Sequence, residues 1–179
     1  LFDQRRQYYI FDRSWWDTKF GDIVDENRNL IGHLYQDIDS ERIVIELREA
    51  DNQTISAIVH RDLAAIPDIV EIQDGNEEFL ARVRHKILAI GQSEAWIEDE
   101  QGKRILTAKG NFKELSFNIY DTSGTLVAEI DKTSVWRDVF PSDVTPGSDQ
   151  KHAIVVQGDG DRRLITSFAI AVDEATRKR

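Results

Sequence analysis

One short motif recurs along the chain at a nearly constant spacing. It consists of an apolar residue, a variable residue and an aspartate, and its copies are Ile23-Val24-Asp25, Ile72-Gln73-Asp74, Ile97-Glu98-Asp99 and Ile119-Tyr120-Asp121, with Leu47-Arg48-Glu49 as a degenerate fifth. The marker carboxylates at positions 25, 49, 74, 99 and 121 are therefore 24, 25, 25 and 22 residues apart. A fixed spacing of this size indicates one repeated supersecondary unit.

The repeated unit is predicted to be a β-hairpin. Each motif is followed by a short polar stretch, after which apolar residues return. Asp, Asn and Gly are frequent in these stretches, and they favour turns because they tolerate positive φ or bond their own backbone. The flanking runs alternate with a period of two, as in residues 81–88. That alternation is typical of β-strands with one buried face.

The number of hairpins predicts the architecture. Five hairpins supply ten strands, and the runs at 8–11 and 153–157 each add one more. So many antiparallel strands with few helices imply a barrel or a sandwich. We expect a mainly β, single domain over residues 1–179, built as a closed antiparallel barrel of about twelve strands that encloses a hydrophobic C-terminal α-helix.

The expected helix spans about Arg162 to Ala175, with Asp161 as its N-cap. Its apolar run, residues 164–172, is far shorter than the roughly 20 residues that cross a bilayer, so we expect no transmembrane span. We interpret the helix as apolar on every side, which requires that it be surrounded. A barrel of about twelve strands is too wide for its own side chains to fill, because roughly eight strands already suffice for that. The helix is therefore predicted to occupy the lumen.

Two segments resemble a known family. The hairpin IYDTSGTLVAEI (119–130) and the ending LITSFAIAVDE (164–174) are similar to those of LURP-one-related proteins, and the ending is also similar to that of phospholipid scramblases. Both groups belong to the tubby C-terminal-like superfamily, so the resemblance implies a twelve-stranded barrel around a central helix. Members of that superfamily bind phosphoinositides or are linked to calcium-dependent lipid scrambling. The resemblance thus implies a binding or scaffold domain, with a calcium-dependent scramblase-like membrane protein as the alternative.

The sequence lacks the palmitoylation and calcium-binding features of phospholipid scramblases. The chain has no cysteine that could be palmitoylated. The stretch 140–150, which corresponds to the calcium segment of scramblases, keeps only Asp143 and Asp149 as carboxylates. No basic motif aligns with the phosphoinositide pocket of tubby. We therefore favour the binding or scaffold interpretation.

Candidate catalytic and metal sites each have a simpler structural explanation. The stretch 121–124 (DTSG) is similar to the aspartic protease motif but fits a hairpin turn better, and 158–161 (GDGD) fits a turn that ends in a helix cap better than a calcium loop. The histidines, His33, His60, His85 and His152, lie on separate predicted strands without metal-ligand spacing. We expect no enzyme activity, metal or cofactor, and an enzyme that uses the barrel mouth is the third and least favoured interpretation.

Charge defines one candidate binding surface. The chain carries 33 Asp and Glu against 23 Lys and Arg, a net charge of -10, which disfavours nucleic acid as a partner. Basic residues nevertheless alternate along one predicted strand, and others end the chain: Arg82, Arg84, Lys86, Arg177, Lys178 and Arg179. Together they form a candidate site for an anionic lipid headgroup, because each basic residue near an acidic membrane contributes ~1 kcal/mol. A solvated strand face is the alternative, and a protein partner is the other ligand class.

Two further expectations concern the barrel end and the compartment. Trp15 and Trp16 are neighbours on a predicted strand and so face opposite sides. One ring is expected to seal the barrel end and the other to lie outside it. We expect a cytoplasmic protein, with peripheral attachment to a membrane as an open alternative.

Overall fold

The computed structural model describes residues 1–12, 19–65, 69–87, 93–112, 116–131 and 151–176. The strands within these ranges are β1 (Tyr8–Asp12), β2 (Phe20–Val24), β3 (Leu30–Ile38), β4 (Arg42–Glu49), β5 (Ile55–Asp62), β6 (Ile69–Asp74), β7 (Phe79–Ile87), β8 (Ser93–Glu98), β9 (Arg104–Asn111), β10 (Ser116–Asp121), β11 (Leu126–Asp131) and β12 (Lys151–Val156). One helix, α1 (Arg162–Thr176), follows them.

The strands form one closed antiparallel barrel. Each strand pairs with its neighbours in sequence, and β1 pairs with β12 to close the ring. The closing seam contains five residue pairs, from Tyr8 opposite Val155 to Asp12 opposite Lys151. The predicted closed barrel of twelve strands around a C-terminal helix is confirmed.

The sequence repeat corresponds to a repeated turn. In four hairpins the marker aspartate (Asp25, Asp74, Asp99 or Asp121) accepts, through Oδ1, the backbone N–H groups of the second and fourth residues after it, at 2.8–3.0 Å. The third residue after each of the five markers has positive φ: Arg28, Asn52, Glu77, Gly102 and Gly124. Each of these hairpins also has a register shift just before its marker. A type I turn followed by a left-handed residue and a bulge has these features.

The degenerate copy at Glu49 is one residue longer. Its backbone N–H donates to the carbonyl of Thr54, five residues on, at 2.8 Å. The capping carboxylate is supplied by Asp51 instead, which accepts the N–H groups of Thr54 and Gln53. These bonds and the Thr54 hydroxyl lower the pKa of Asp51 to about 2. The extra residue thus explains why this copy departs from the motif.

All five repeated turns lie at the same end of the barrel. Because the strands alternate in direction, the segments 25–29, 49–54, 74–78, 99–103 and 121–125 meet there, together with the 157–161 connection into α1. We call this end the hairpin end and the opposite end the far end. Of the six connections at the far end, 39–41 is described in full, and the others lie wholly or partly outside the described residues.

The helix runs from the hairpin end through the lumen. Its N-terminus is capped by Asp161, whose Oδ1 accepts the backbone N–H of Leu164 at 3.1 Å, as predicted. The helix contacts β5, β6 and β7 on one side and β11 and β12 on another. Its apolar side chains are buried against the inner faces of the strands, and the most enclosed are Ile165, Phe168, Ile170, Ala171 and Val172.

The expectation that α1 is apolar on every side is wrong. Its buried side chains include five polar ones: Arg162, Thr166, Ser167, Asp173 and Glu174. Glu174 Oε1 lies 3.0 Å from Nη1 of Arg61 on β5. Arg162 donates to the carbonyl of Gly160 at 2.7 Å and to that of Arg6 at 3.3 Å. The barrel wall and its connections therefore supply partners for Glu174 and Arg162 that the local sequence of the helix does not reveal.

Candidate functional site

The outer surface of β7 carries three of the six predicted site residues. Arg82 and Arg84 are half-buried and Lys86 is exposed, whereas Ala81 and Val83 between them are buried. The three basic side chains therefore point outward from one strand, as the alternation indicates. The other predicted residues, Arg177, Lys178 and Arg179, lie outside the described residues, as do Trp15, Trp16, Asp143 and Asp149.

Both arginines of this strand pair with carboxylates on neighbouring strands. Arg82 Nη2 lies 2.7 Å from Glu71 Oε1 on β6, and Arg84 Nε lies 3.3 Å from Glu98 Oε2 on β8. Solvent-accessible ion pairs of this kind stabilise a fold by at most about 1 kcal/mol. The guanidinium groups can therefore exchange a carboxylate for an external anion at little cost to stability.

Strand β9, on the other side of β8 from β7, adds two cations to this surface, Arg104 and Lys109, that the sequence pattern did not predict. The register places Lys86 opposite Glu94, and Glu94 opposite Lys109. Both lysines are exposed, and within the described ranges neither forms an ion pair. Glu94 instead pairs with Arg104, whose Nη1 lies 3.3 Å from Oε1. In the sequence, Thr107 and Lys109 are two residues apart, which is the spacing of side chains on one face of a strand. A register shift beside Arg104 interrupts that spacing, so the sequence does not indicate that Arg104 shares the face.

A tryptophan and a glutamate hold the centre of this surface in place. The Trp96 Nε1–H donates to Glu98 Oε1 at 2.7 Å, and the Arg104 guanidinium lies 4.3 Å above the indole ring. The Trp96 bond, with the Arg84 bond beside it, lowers the pKa of Glu98, so this carboxylate stays ionised. Cations that are positioned before a ligand arrives lose less side-chain entropy on binding.

Together these residues form a local excess of positive charge on an acidic protein. The basic face, as we call it, comprises Arg82, Arg84, Lys86, Arg104 and Lys109 against the carboxylates Glu71, Glu94 and Glu98. A shallow groove of about 650 Å³ runs beside it along β9, and its lining includes Lys103, Arg104, Thr107, Lys109 and Tyr120. Ammonium, guanidinium and hydroxyl groups are the donors that bind phosphate and carboxylate oxygens.

The remaining motifs occupy structural positions. Asp121 accepts bonds from Ser123 and Thr125 and forms a hairpin turn, as predicted for the DTSG stretch. His33 bonds Asp22 at 2.9 Å and stacks on Phe20, and the four histidines lie on four different strands. Among the residues that the structure describes, no group of three or more His, Asp or Glu side chains could hold a metal ion. No helix in the same ranges is both long and apolar enough to span a membrane.

Sequence comparison identifies the family. Residues 6–173 match the LURP-one-related family. The chain belongs to the LURP-one-related family. No curated protein sequence matches it. Among solved structures, the LURP-one-related barrel is similar to the X-ray structure of an Arabidopsis thaliana protein, with a TM-score of 0.64 and 16% identity over 98% of this chain and 97% of that one. At that identity the likeness supports the fold alone.

Proposed function

We propose that this LURP-one-related domain is a non-enzymatic binding module that recognises an anionic ligand through its basic face. The observation that carries the proposal is the clustering of five cations on one outer surface of a chain whose net charge is -10. The lumen is an unsuitable binding site because α1 fills it, with Phe168 fully buried and Ile170 2% exposed. A ligand of this barrel therefore binds on the outside.

An acidic phospholipid headgroup is the ligand that this surface fits best. The outer face of the barrel carries its lysines exposed, so they can approach a membrane surface, and each basic residue contributes ~1 kcal/mol there. Three carboxylates lie among the cations, so we expect weak binding that disappears as salt shortens the Debye length to about 8 Å. Binding of this kind is peripheral and reversible. A protein partner with an acidic surface is the alternative ligand class.

Vesicle sedimentation tests the proposal. The protein should sediment at low salt with vesicles that contain phosphatidylserine and stay in solution with pure phosphatidylcholine. Lys86→Gln with Lys109→Gln removes two exposed cations and should weaken binding by ~2 kcal/mol, or about 30-fold. The matched control is Arg5→Gln with Arg28→Gln, which changes the net charge equally but at exposed positions outside the basic face. The control should bind nearly as the parent does.

Two outcomes would contradict the proposal. If acidic vesicles do not recruit the protein at low salt, the lipid ligand is wrong and protein partners remain. If both double variants weaken binding equally, only net charge matters and the basic face is not the site. The same vesicles also test the scramblase alternative, which requires calcium-dependent translocation of a labelled lipid by the purified chain.

A further inference from the structure

We infer that the hairpin end of the barrel binds a basic, amphipathic segment of a partner protein in a cleft beside the start of α1. The cleft has a volume of about 370 Å³ and lies between the ends of β9 and β11, the 157–161 connection and the first turn of the helix. Its apolar lining includes Ile105, Leu106, Leu126, Val127, Leu164 and Ile165. The cleft adjoins the groove beside the basic face, with which it shares Ile105 and Asp121, but none of the five cations of the basic face lines it. The inference therefore does not depend on the function proposed above.

The floor of the cleft is apolar and well supported. Ile165 and Leu106 belong to the buried core, and Leu164 packs against that core while it remains partly exposed. Gly160 lies so close to the helix that a Cβ atom there would come within 2.7 Å of Ile165 Cδ1. The connection is thus held against the first turn of α1. An apolar side chain that enters the cleft meets a preformed surface, which lowers the entropic cost of binding.

The rim of the cleft carries three carboxylates, Asp121, Asp159 and Asp161. Bonds from the Ser123 hydroxyl and from the backbone N–H groups of its own turn lower the pKa of Asp121, so that it remains ionised. Asp161 caps the helix through a backbone N–H, and Asp159 is exposed. The groups that hold the capping carboxylates Asp121 and Asp161 are therefore neutral N–H and O–H donors. The guanidinium of the buried Arg162, 2.7 Å from the Gly160 carbonyl, offsets part of the negative charge of the rim.

The same imbalance extends around the hairpin end. Its six connections contain two cations, Arg28 and Lys103, and the carboxylates Asp25, Glu26, Glu49, Asp51, Asp74, Glu77, Glu78, Asp99, Glu100, Asp121, Asp159 and Asp161. Residues 1–7 and the start of α1 lie at the same end and add one carboxylate, Asp3, and four cations, Arg5, Arg6, Arg162 and Arg163, so the end remains acidic. A surface of this charge repels acidic membranes, nucleic acids and the hairpin end of a second copy. It attracts a cationic partner and raises the rate of its association.

The shape of the charge distribution favours a peptide segment over a small amine. Carboxylates lie on every turn around the end, so a chain of several residues can contact more of them than a single ammonium group can. The cleft then gives the segment one point of apolar anchoring, and buried anchors dominate the affinity of such interfaces. The occupant therefore combines one or two large apolar side chains with flanking Lys or Arg.

Fluorescence anisotropy with labelled peptides tests this inference. The probe is a peptide of two leucines flanked on each side by two lysines, and the comparison peptides replace the leucines by serines or the lysines by glutamates. Asp121→Asn with Asp159→Asn should weaken binding of the probe about tenfold, because it removes rim charge while the new amide at position 121 keeps an oxygen to accept the turn N–H groups. Glu26→Gln with Glu77→Gln is the matched control on the β2–β3 and β6–β7 turns and should have little effect. Amide chemical shifts should move at 121–127 and 157–165.

The alternatives give different results. Equal binding of the serine peptide would show general attraction of counterions and overturn the inference, as would equal losses in both double variants. Concentration-dependent self-association of the chain alone, lost in Asp159→Lys, would assign the cleft to a second copy instead. Asp159→Lys also serves if Asp121→Asn disturbs the turn, because Asp159 is exposed in the connection. It should abolish binding of the probe without changing the melting temperature.

Discussion

At the scale of single residues, the lumen should accept a smaller apolar side chain but not a charged one. Ile170 is 2% exposed on the helix at the centre of the barrel. Ile170→Asp would place an uncompensated charge there, at a cost of about 3–5 kcal/mol or more against a total stability of about 5–15 kcal/mol. We expect an insoluble protein or one without a cooperative thermal transition. Ile170→Val, the control, should cost only ~0.5–1.5 kcal/mol. A soluble Ile170→Asp protein with the parent's melting temperature would mean that α1 lies outside the barrel.

Arg61 and Glu174 are also buried charges, but unlike the carboxylate of Ile170→Asp they are paired with each other. Their side chains are 12% and 4% exposed, and Arg61 also donates to the Glu174 carbonyl at 3.0 Å. Arg61→Met or Glu174→Met alone should destabilise the fold by about 3–5 kcal/mol, since each removes one member of a buried, hydrogen-bonded ion pair. The double variant should regain most of that loss. Urea unfolding of the four proteins in a double-mutant cycle measures the coupling, and strictly additive losses would show that the pair does not act as a unit.

At the scale of elements, two glycines in neighbouring repeats distinguish strain of the backbone from steric overlap. Gly102 has a φ of 76°, and nothing lies within 4 Å of the Cβ that an alanine would add. Gly102→Ala should therefore lower the free energy of unfolding by only ~1 kcal/mol, which is the strain of an alanine in the left-handed conformation. At Gly75 the added Cβ would lie 1.9 Å from the carbonyl oxygen of Ile55. Gly75→Ala should destabilise the protein several times more, as measured by the urea midpoint, and equal effects would contradict this assignment of causes.

The repeated hairpin is also the reason that the fold could be predicted from the sequence. The spacing of markers such as Asp25 and Asp74 reflects a local turn, and local turns are specified by nearby residues. The polar side of α1 could not be predicted in the same way, because Glu174 depends on Arg61, which is distant in sequence. For the same reason only the β7 part of the basic face could be predicted from the sequence. Lys86 and Lys109 become neighbours of Glu94 only through the register of three strands.

At the scale of the whole molecule, the barrel and the helix depend on each other. Removal of residues 162–179 would leave the inner faces of twelve strands without their central partner. The burial free energy lost would be on the order of 10 kcal/mol for four side chains alone, Ile165, Phe168, Ile170 and Val172. That is comparable with the stability of an entire domain. We expect the shortened chain to bind a dye specific for exposed apolar surface and to lack near-ultraviolet circular dichroism. A cooperative unfolding transition in that chain would show that the barrel closes without the helix.

The order of the elements along the chain has a consequence for synthesis on the ribosome. Every strand can pair with its predecessor as it emerges, but β1 must wait for β12, and α1 follows β12 after the five residues 157–161. The closing strand and the filling helix are therefore delivered almost together. Until then the growing sheet exposes an apolar inner face and two unpaired strand edges, a state prone to aggregation. Chaperones that shield nascent chains should accordingly be needed until the last helix has left the ribosome.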